Sequence, residues 1–153
     1  IYGFDTFEVF VNTSTEKDGY HLSDGDYCVY EGYEIELEKI LEIHDKNGPI
    51  PHLKKFSLIK GDASVTSERW VKDNPHAIVA MVIFDMDIYN PTKDVLTSIL
   101  PRITKGSLLV FDEINCPEFP GETEALNEVL SLNKIKLNHY PHQPNCAWAV
   151  WGE

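Results

Sequence analysis

Four apolar runs in this chain end on carboxylates: "IYGFD" on Asp5, "FSLIKGD" on Asp62, "IVAMVIFDMD" on Asp85 and Asp87, and "GSLLVFDE" on Asp112 and Glu113. An apolar run between polar breaks reads as a strand buried on both faces, the pattern of a parallel sheet. The carboxyl ends of parallel strands share one edge, and the crevice outside that edge is where ligands bind. Any single acid there has an ordinary explanation, because it can cap the next helix and meet its N-terminal dipole. The set asks for more. Asp85, Asp112 and Glu113 come from two strands that can be neighbours, and three such carboxylates repel one another unless protons or a cation intervene. Oxygen-only donors favour a hard ion such as Mg²⁺, which takes few protein carboxylates and leaves positions open for a substrate oxygen.

The elements that must position these acids follow in order. After a loop rich in Ser, Thr, Asp and Gly, "EGYEIELEKILEIHDKNG" places Tyr33, Leu37, Ile40, Leu41 and His44 on one helical face and stops at Asn47, Gly48 and Pro49. A strand over "KKFSLIKGD" and a short helix over "SVTSERWVKDNP" come next. The strand at 77–85 is followed by Asn90 and Pro91, an N-cap and first-turn pair that opens a helix carrying Val95, Leu96, Ile99 and Leu100 on one face. "GSLLVFDEI" is a further buried strand, and "GETEALNEVLSLN" a helix with Ala125, Leu126, Val129 and Leu130 facing in. "KIKLNHY" and "CAWAVWG" close the chain as two strands joined by a turn at 141–145. Alternating strands and helices predict an α/β fold, a mostly parallel sheet with helices on both faces. The last pair must be antiparallel, because its connection is too short for a crossover.

The chain has 153 residues, the size of one domain spanning 1–153. A net charge of −12 argues against a nucleic acid or an anionic membrane as partner and suits a metal or a cationic ligand. No apolar stretch is long enough to span a bilayer. Cys28, Cys116 and Cys146 are odd in number and share no ligand spacing, so a reducing cytoplasm is the expected compartment. His139 and His142 near the last turn are candidate bases, with solvated loop histidines as the plainer reading; Trp70, Trp148 and Trp151 read as core or interface.

In combination, "IYGFDTFE", "FSLIKGDAS", "FDMDIYNPT", "LPRITKGSLLVFDEIN" and "CPEFPGETEAL" resemble class I S-adenosylmethionine-dependent methyltransferases. The resemblance is specifically to the metal-dependent sugar O-methyltransferases typified by the macrocin and dTDP-6-deoxy-L-hexose 3-O-methyltransferase families. It implies a three-layer, Rossmann-like fold whose first strand and glycine-rich loop would lie before Ile1, so a partial catalytic domain is expected. It further implies that Asp5 meets the ribose hydroxyls of S-adenosyl-L-methionine, and that Gly61, Asp62 and Ala63 meet its adenine. Asp85, Asp112 and Glu113 match the family's Mg²⁺-binding acids, with Glu113 standing where an aspartate is usual. The loop after Asp5 departs as well, reading "FEVFV" with Val9 and Val11 in place of the usual "FEGFP".

The resemblance implies methyl transfer to a hydroxyl of a nucleotide-linked deoxysugar or a glycoside, by a protein that can form homo-oligomers. An unactivated sugar hydroxyl is a poor nucleophile, and a divalent ion stabilises the alkoxide that develops on it. Asp85 is the candidate for a double role as ligand and proton acceptor. Asp87 takes a lesser part in substrate contact, and Tyr89 either touches substrate or packs. Three other readings stand beside this one. "DMD" is also the D-x-D motif of metal-dependent nucleotide-sugar glycosyltransferases. A phosphatase of the D-x-D-x-T type would need Thr where Tyr89 stands. A degenerate methyltransferase fold could serve as a binding module without catalysis.

Overall fold

The computed structural model describes all 153 residues. Six strands and four α-helices alternate: β1 (Tyr2–Asp5), α1 (Tyr33–Asn47), β2 (Ser57–Lys60), α2 (Ala63–Asp73), β3 (Val79–Phe84), α3 (Tyr89–Ile99), β4 (Ile103–Phe111), α4 (Gly121–Leu130), β5 (Asn138–Tyr140) and β6 (Gln143–Val150). The α/β reading and the parallel strands with an antiparallel closing pair therefore hold. β1 pairs in parallel with β2, β3 in parallel with β4, and β6 runs antiparallel to both β4 and β5.

The strands form two sheets, β1-β2 and β3-β4-β6-β5. One edge of β1 and one edge of β3 consequently have no strand partner. The core lies on one face of the larger sheet, where Phe84, Leu109, Phe111 and Ala147 meet Ala63 of α2, Val95, Leu96 and Ile99 of α3, and Leu126 of α4. The rings of Phe84 and Phe111, partners in register, stack with centroids 4.9 Å apart. Strand alternation sends the intervening residues to the other face, and there Met81 and Ile83 are more than half exposed.

Helices on both faces were expected, and only one face is covered within residues 1–153. The same difference explains α1. Its apolar stripe forms as the spacing predicts, yet none of its residues is buried and Ile35, Ile40 and Ile43 are each more than half exposed. Propensity and first-turn acids suffice to shape that helix, whereas burial needs an opposing surface that this part of the chain does not supply. Boundaries also moved. α3 begins at Tyr89 instead of after an Asn90 cap, β4 begins at Ile103, the fifth strand shrinks to Asn138–Tyr140, and β6 begins at Gln143, within the turn expected at 141–145. No helix is long and apolar enough to cross a membrane, and all three cysteines are free.

Removing the Phe111 ring from the centre of this core should cost about 3–5 kcal/mol. Urea unfolding of Phe111→Ala is expected to show the midpoint falling at an unchanged slope; a loss under about 1 kcal/mol would contradict the core described above.

Candidate active site

The acids converge because of strand register. Phe84 and Phe111 are paired, so Asp85 and Asp112 leave the sheet side by side, and the Asp112 N–H donates to the Phe84 carbonyl at 3.1 Å. Asp85 opens onto a cleft that it shares with Phe4, Asp5, Asp62 and Ala63. Partial desolvation, followed by the charges of Asp112 and Asp5, raises the proton affinity of the Asp85 carboxyl even though it keeps contact with solvent. Asp87 is pushed up to about 6, first by burial and then by Asp85, Glu113 and Asp112. The chain has already turned at Asp87, whose φ of 61° lies in the left-handed region, a conformation that costs a non-glycine residue free energy. Asp87 therefore belongs to the turn and not to the strand, and it does not line the cleft.

Asp5 and Asp62 do the ordinary work of strand-end acids and retain a free oxygen. Asp5 Oδ1 accepts the Phe7 N–H at 2.6 Å, and Asp62 Oδ1 accepts the Ser64 N–H at 2.8 Å as the N-cap of α2. Neither Oδ2 is engaged in these caps, so each is an acceptor facing a common cleft, a donor set that fits vicinal hydroxyls or an amino group. Gly61 adopts a φ of +133°, and a Cβ there would meet the Thr66 side chain at 3.1 Å. Its backbone conformation is one that favours glycine. Ala63 is buried beside Asp62 at the start of α2.

Tyr89 lies buried away from the cleft, with its hydroxyl donating to Glu128 and its ring between the Lys17 and Lys93 ammonium groups. The structure thus places it in packing. His139 bonds only to the neighbouring Tyr140 carbonyl, and His142 stacks on Tyr140.

Two acids that spacing did not single out tie together the segments around the site. Glu122, fully buried in the first turn of α4, accepts the Met86 N–H at 3.3 Å and the Glu113 N–H at 3.2 Å with its two oxygens. Burial pushes its carboxyl up to about 7, although these two N–H groups oppose the shift. Asp18, from the loop 6–32, accepts the Tyr89 N–H at 2.6 Å and the Ser14 N–H at 2.6 Å. It caps α3 from 71 residues away, which explains why no cap is legible next to that helix. The loop also brings an aromatic rim: Phe10 and Tyr27, which line the cleft, stack at 4.7 Å, and Phe119 meets Tyr27 at 6.2 Å.

A divalent cation was expected on Asp85, Asp112 and Glu113. The donor chemistry fits, since these three residues offer only oxygens, the Asp112 charge helps to raise the proton affinity of Asp85, and Glu113 Oε2 is buried without a partner. As the side chains stand, no three His, Cys, Asp or Glu groups are arranged to hold a metal ion.

No protein-family model matches the sequence, and no curated protein matches it. Solved structures do. The crystal structure of CalS11, described as a calicheamicin methyltransferase, superposes with a TM-score of 0.91 at 34% identity, over 99% of this chain and 60% of that one. Apo CalS11, described as a TDP-rhamnose 3'-O-methyltransferase of calicheamicin biosynthesis, gives 0.83 at 34% identity over 99% and 58%. The O-methyltransferase NovP gives 0.61 at 14% identity over 97% and 58%, a likeness of fold alone. The chain spans about 60% of the length of the structures that it matches. It has the fold of these methyltransferases, and the resemblance carried by its motifs holds in three dimensions.

The raised carboxyls make stability depend on pH in a defined direction. Asp87 and Glu122 bind protons more tightly in the folded chain than in the unfolded one. The stability they contribute is full below their unfolded values of roughly 4 and is lost as the pH rises through about 6 and about 7. Asp87→Asn, which suits a left-handed turn, should therefore raise Tm relative to the parent at about pH 7.5 and not at about pH 4, measured in chelator. An equal difference at both pH values would contradict the assignment.

Proposed function

With a fold shared with sugar O-methyltransferases as premise, we propose that this chain is the greater part of a catalytic domain that transfers a methyl group from S-adenosylmethionine to a hydroxyl of a sugar. The observation that carries the reading is that Asp85, which leaves the sheet beside Asp112, lines one cleft with Asp5 and Asp62. Asp5 and Asp62 suit a nucleoside, and Asp85 a reacting hydroxyl. The substrate is a small sugar, as a nucleotide-linked deoxysugar or a glycoside, and the cytoplasm is the compartment that suits three unpaired cysteines.

Within this proposal the chain's own residues have distinct tasks. Asp5 and Asp62 accept hydrogen bonds from the ribose and adenine through their free oxygens, while Ala63 and Phe4 supply apolar wall. S-adenosylmethionine held there would supply the methyl group from its sulfonium and leave as the neutral thioether. Asp85, which lines the cleft, receives the proton of the acceptor hydroxyl. Asp112 and Glu113, with Asp85, would hold a Mg²⁺ ion, which lowers the cost of developing negative charge on the acceptor oxygen. Phe10 and Tyr27 wall the cleft that Asp85 lines.

Incubation of the full-length protein with labelled S-adenosylmethionine and a panel of deoxysugar nucleotides and glycosides is expected to yield a methylated sugar. Asp85→Ala and Asp112→Ala should each reduce kcat at least about 100-fold, within the range for loss of a general base or an electrostatic stabiliser. Their folds should survive, as judged by circular dichroism. Chelator should abolish turnover and Mg²⁺ restore it. Full activity in chelator would remove the metal from this account, and cofactor binding with no transfer to any acceptor would favour the binding-module reading.

A further inference from the structure

We infer that Glu122 is a positioning residue whose two carboxylate oxygens set the separation of Asp85 from Asp112 and Glu113; the inference rests on the function proposed above. Each oxygen takes one backbone N–H, that of Met86 and that of Glu113. Those N–H groups belong to the peptide units joining Asp85 to Met86 and Asp112 to Glu113. A peptide unit is planar and rigid, so gripping its N–H fixes the Cα that carries the preceding acid. One side chain therefore holds both strand ends from beneath. The contact reaches 36 residues back in sequence to Met86 and 9 back to Glu113.

The chemistry of the grip specifies the residue. Two donors converge on a place without water, and a buried N–H left unpaired is costly. Only a carboxylate presents two acceptor oxygens on one planar group; a carboxamide presents one acceptor and one donor. Glutamine has the same length and shape, yet its NH₂ would face either Met86 N–H or Glu113 N–H. A buried acid with no exposed surface is also a poor choice for stability alone, because desolvating a charge costs free energy that an apolar side chain avoids. Its position, directly under the acids and on a helix that otherwise packs Ala125 and Leu126 into the core, gives it the leverage of a rigid element.

The test uses the full-length protein, its Glu122→Gln variant and a second variant, Glu122→Met, which fills the same volume without a charge. Amide exchange in the unsubstituted protein comes first: the Met86 and Glu113 amides should be protected well beyond those of the exposed loop 6–32, and exchange at loop rates would overturn the grip. In either variant these two amides should exchange at least about 10-fold faster while those of β4 and β6 keep their protection. Turnover should then fall about 100-fold in kcat with the KM for S-adenosylmethionine within about twofold, since Asp5 ends β1 and Asp62 caps α2, neither of them held by Glu122. Retained kcat in either folded variant would overturn the inference. So would a joint loss of kcat and cofactor affinity, or failure of both variants to fold, each of which makes Glu122 a general structural residue. If the unsubstituted protein transfers no methyl group while both amides are protected, the proposed function fails and the assignment of Glu122 to catalysis falls with it; the exchange data alone then report the grip.

Discussion

The parallel pairing of β3 with β4 is the constraint on which the rest depends. With Phe84 opposite Phe111, the residues that follow must emerge together, and both are acids. A shift of one residue in that register would send Phe84 or Phe111 out of the core and turn the partner acid to the opposite face. The stacked rings and the converging carboxylates are thus two consequences of one alignment. The same register that buries the largest side chains concentrates negative charge at the sheet edge.

Concentrated charge has to be accommodated, and the chain does so largely with backbone donors. Glu122 and Asp18 are buried acids with no cationic partner on their oxygens; each accepts N–H groups from segments remote in sequence. Through Asp18 the long loop is tied to the start of α3, and through Glu122 the start of α4 is tied to both strand ends. These ties cross at Gly121, where a Cβ would come within 2.5 Å of the Tyr89 nitrogen and 2.8 Å of the Ile88 carbonyl carbon. Only a residue without a side chain lets the loop, α3 and α4 approach so closely. The acidic edge is in this way a junction of the fold as well as a candidate site.

The surroundings divide into a tightly packed side and an open one. α2, α3 and α4 seal one face of the larger sheet, while Met81 and Ile83 on the other face and Ile35, Ile40 and Ile43 of α1 stay exposed. β1 and β3 each leave one edge without a strand partner. These are features of residues 1–153, a span that matches about 60% of the length of the solved methyltransferases. The cleft lies between the two sheets, with carboxylates from both and aromatic rings from the loop.

Local sequence determined a good deal of this protein. Apolar runs ending on acids located the strands, helical spacing located α1 to α4, and the short closing connection dictated the antiparallel pair, because each signal depends on residues close together in the chain. The motifs carried the resemblance to sugar O-methyltransferases for the same reason. Tertiary structure alone decided the rest. It put Asp87 in a left-handed turn, set the Tyr89 hydroxyl on Glu128, and left no residue of α1 buried. It also recruited Asp18 as a helix cap and Glu122 as a grip on two strand ends. Periodicity reports which face of an element is apolar; what lies opposite that face, and which distant N–H a buried carboxylate meets, is settled only when the elements pack.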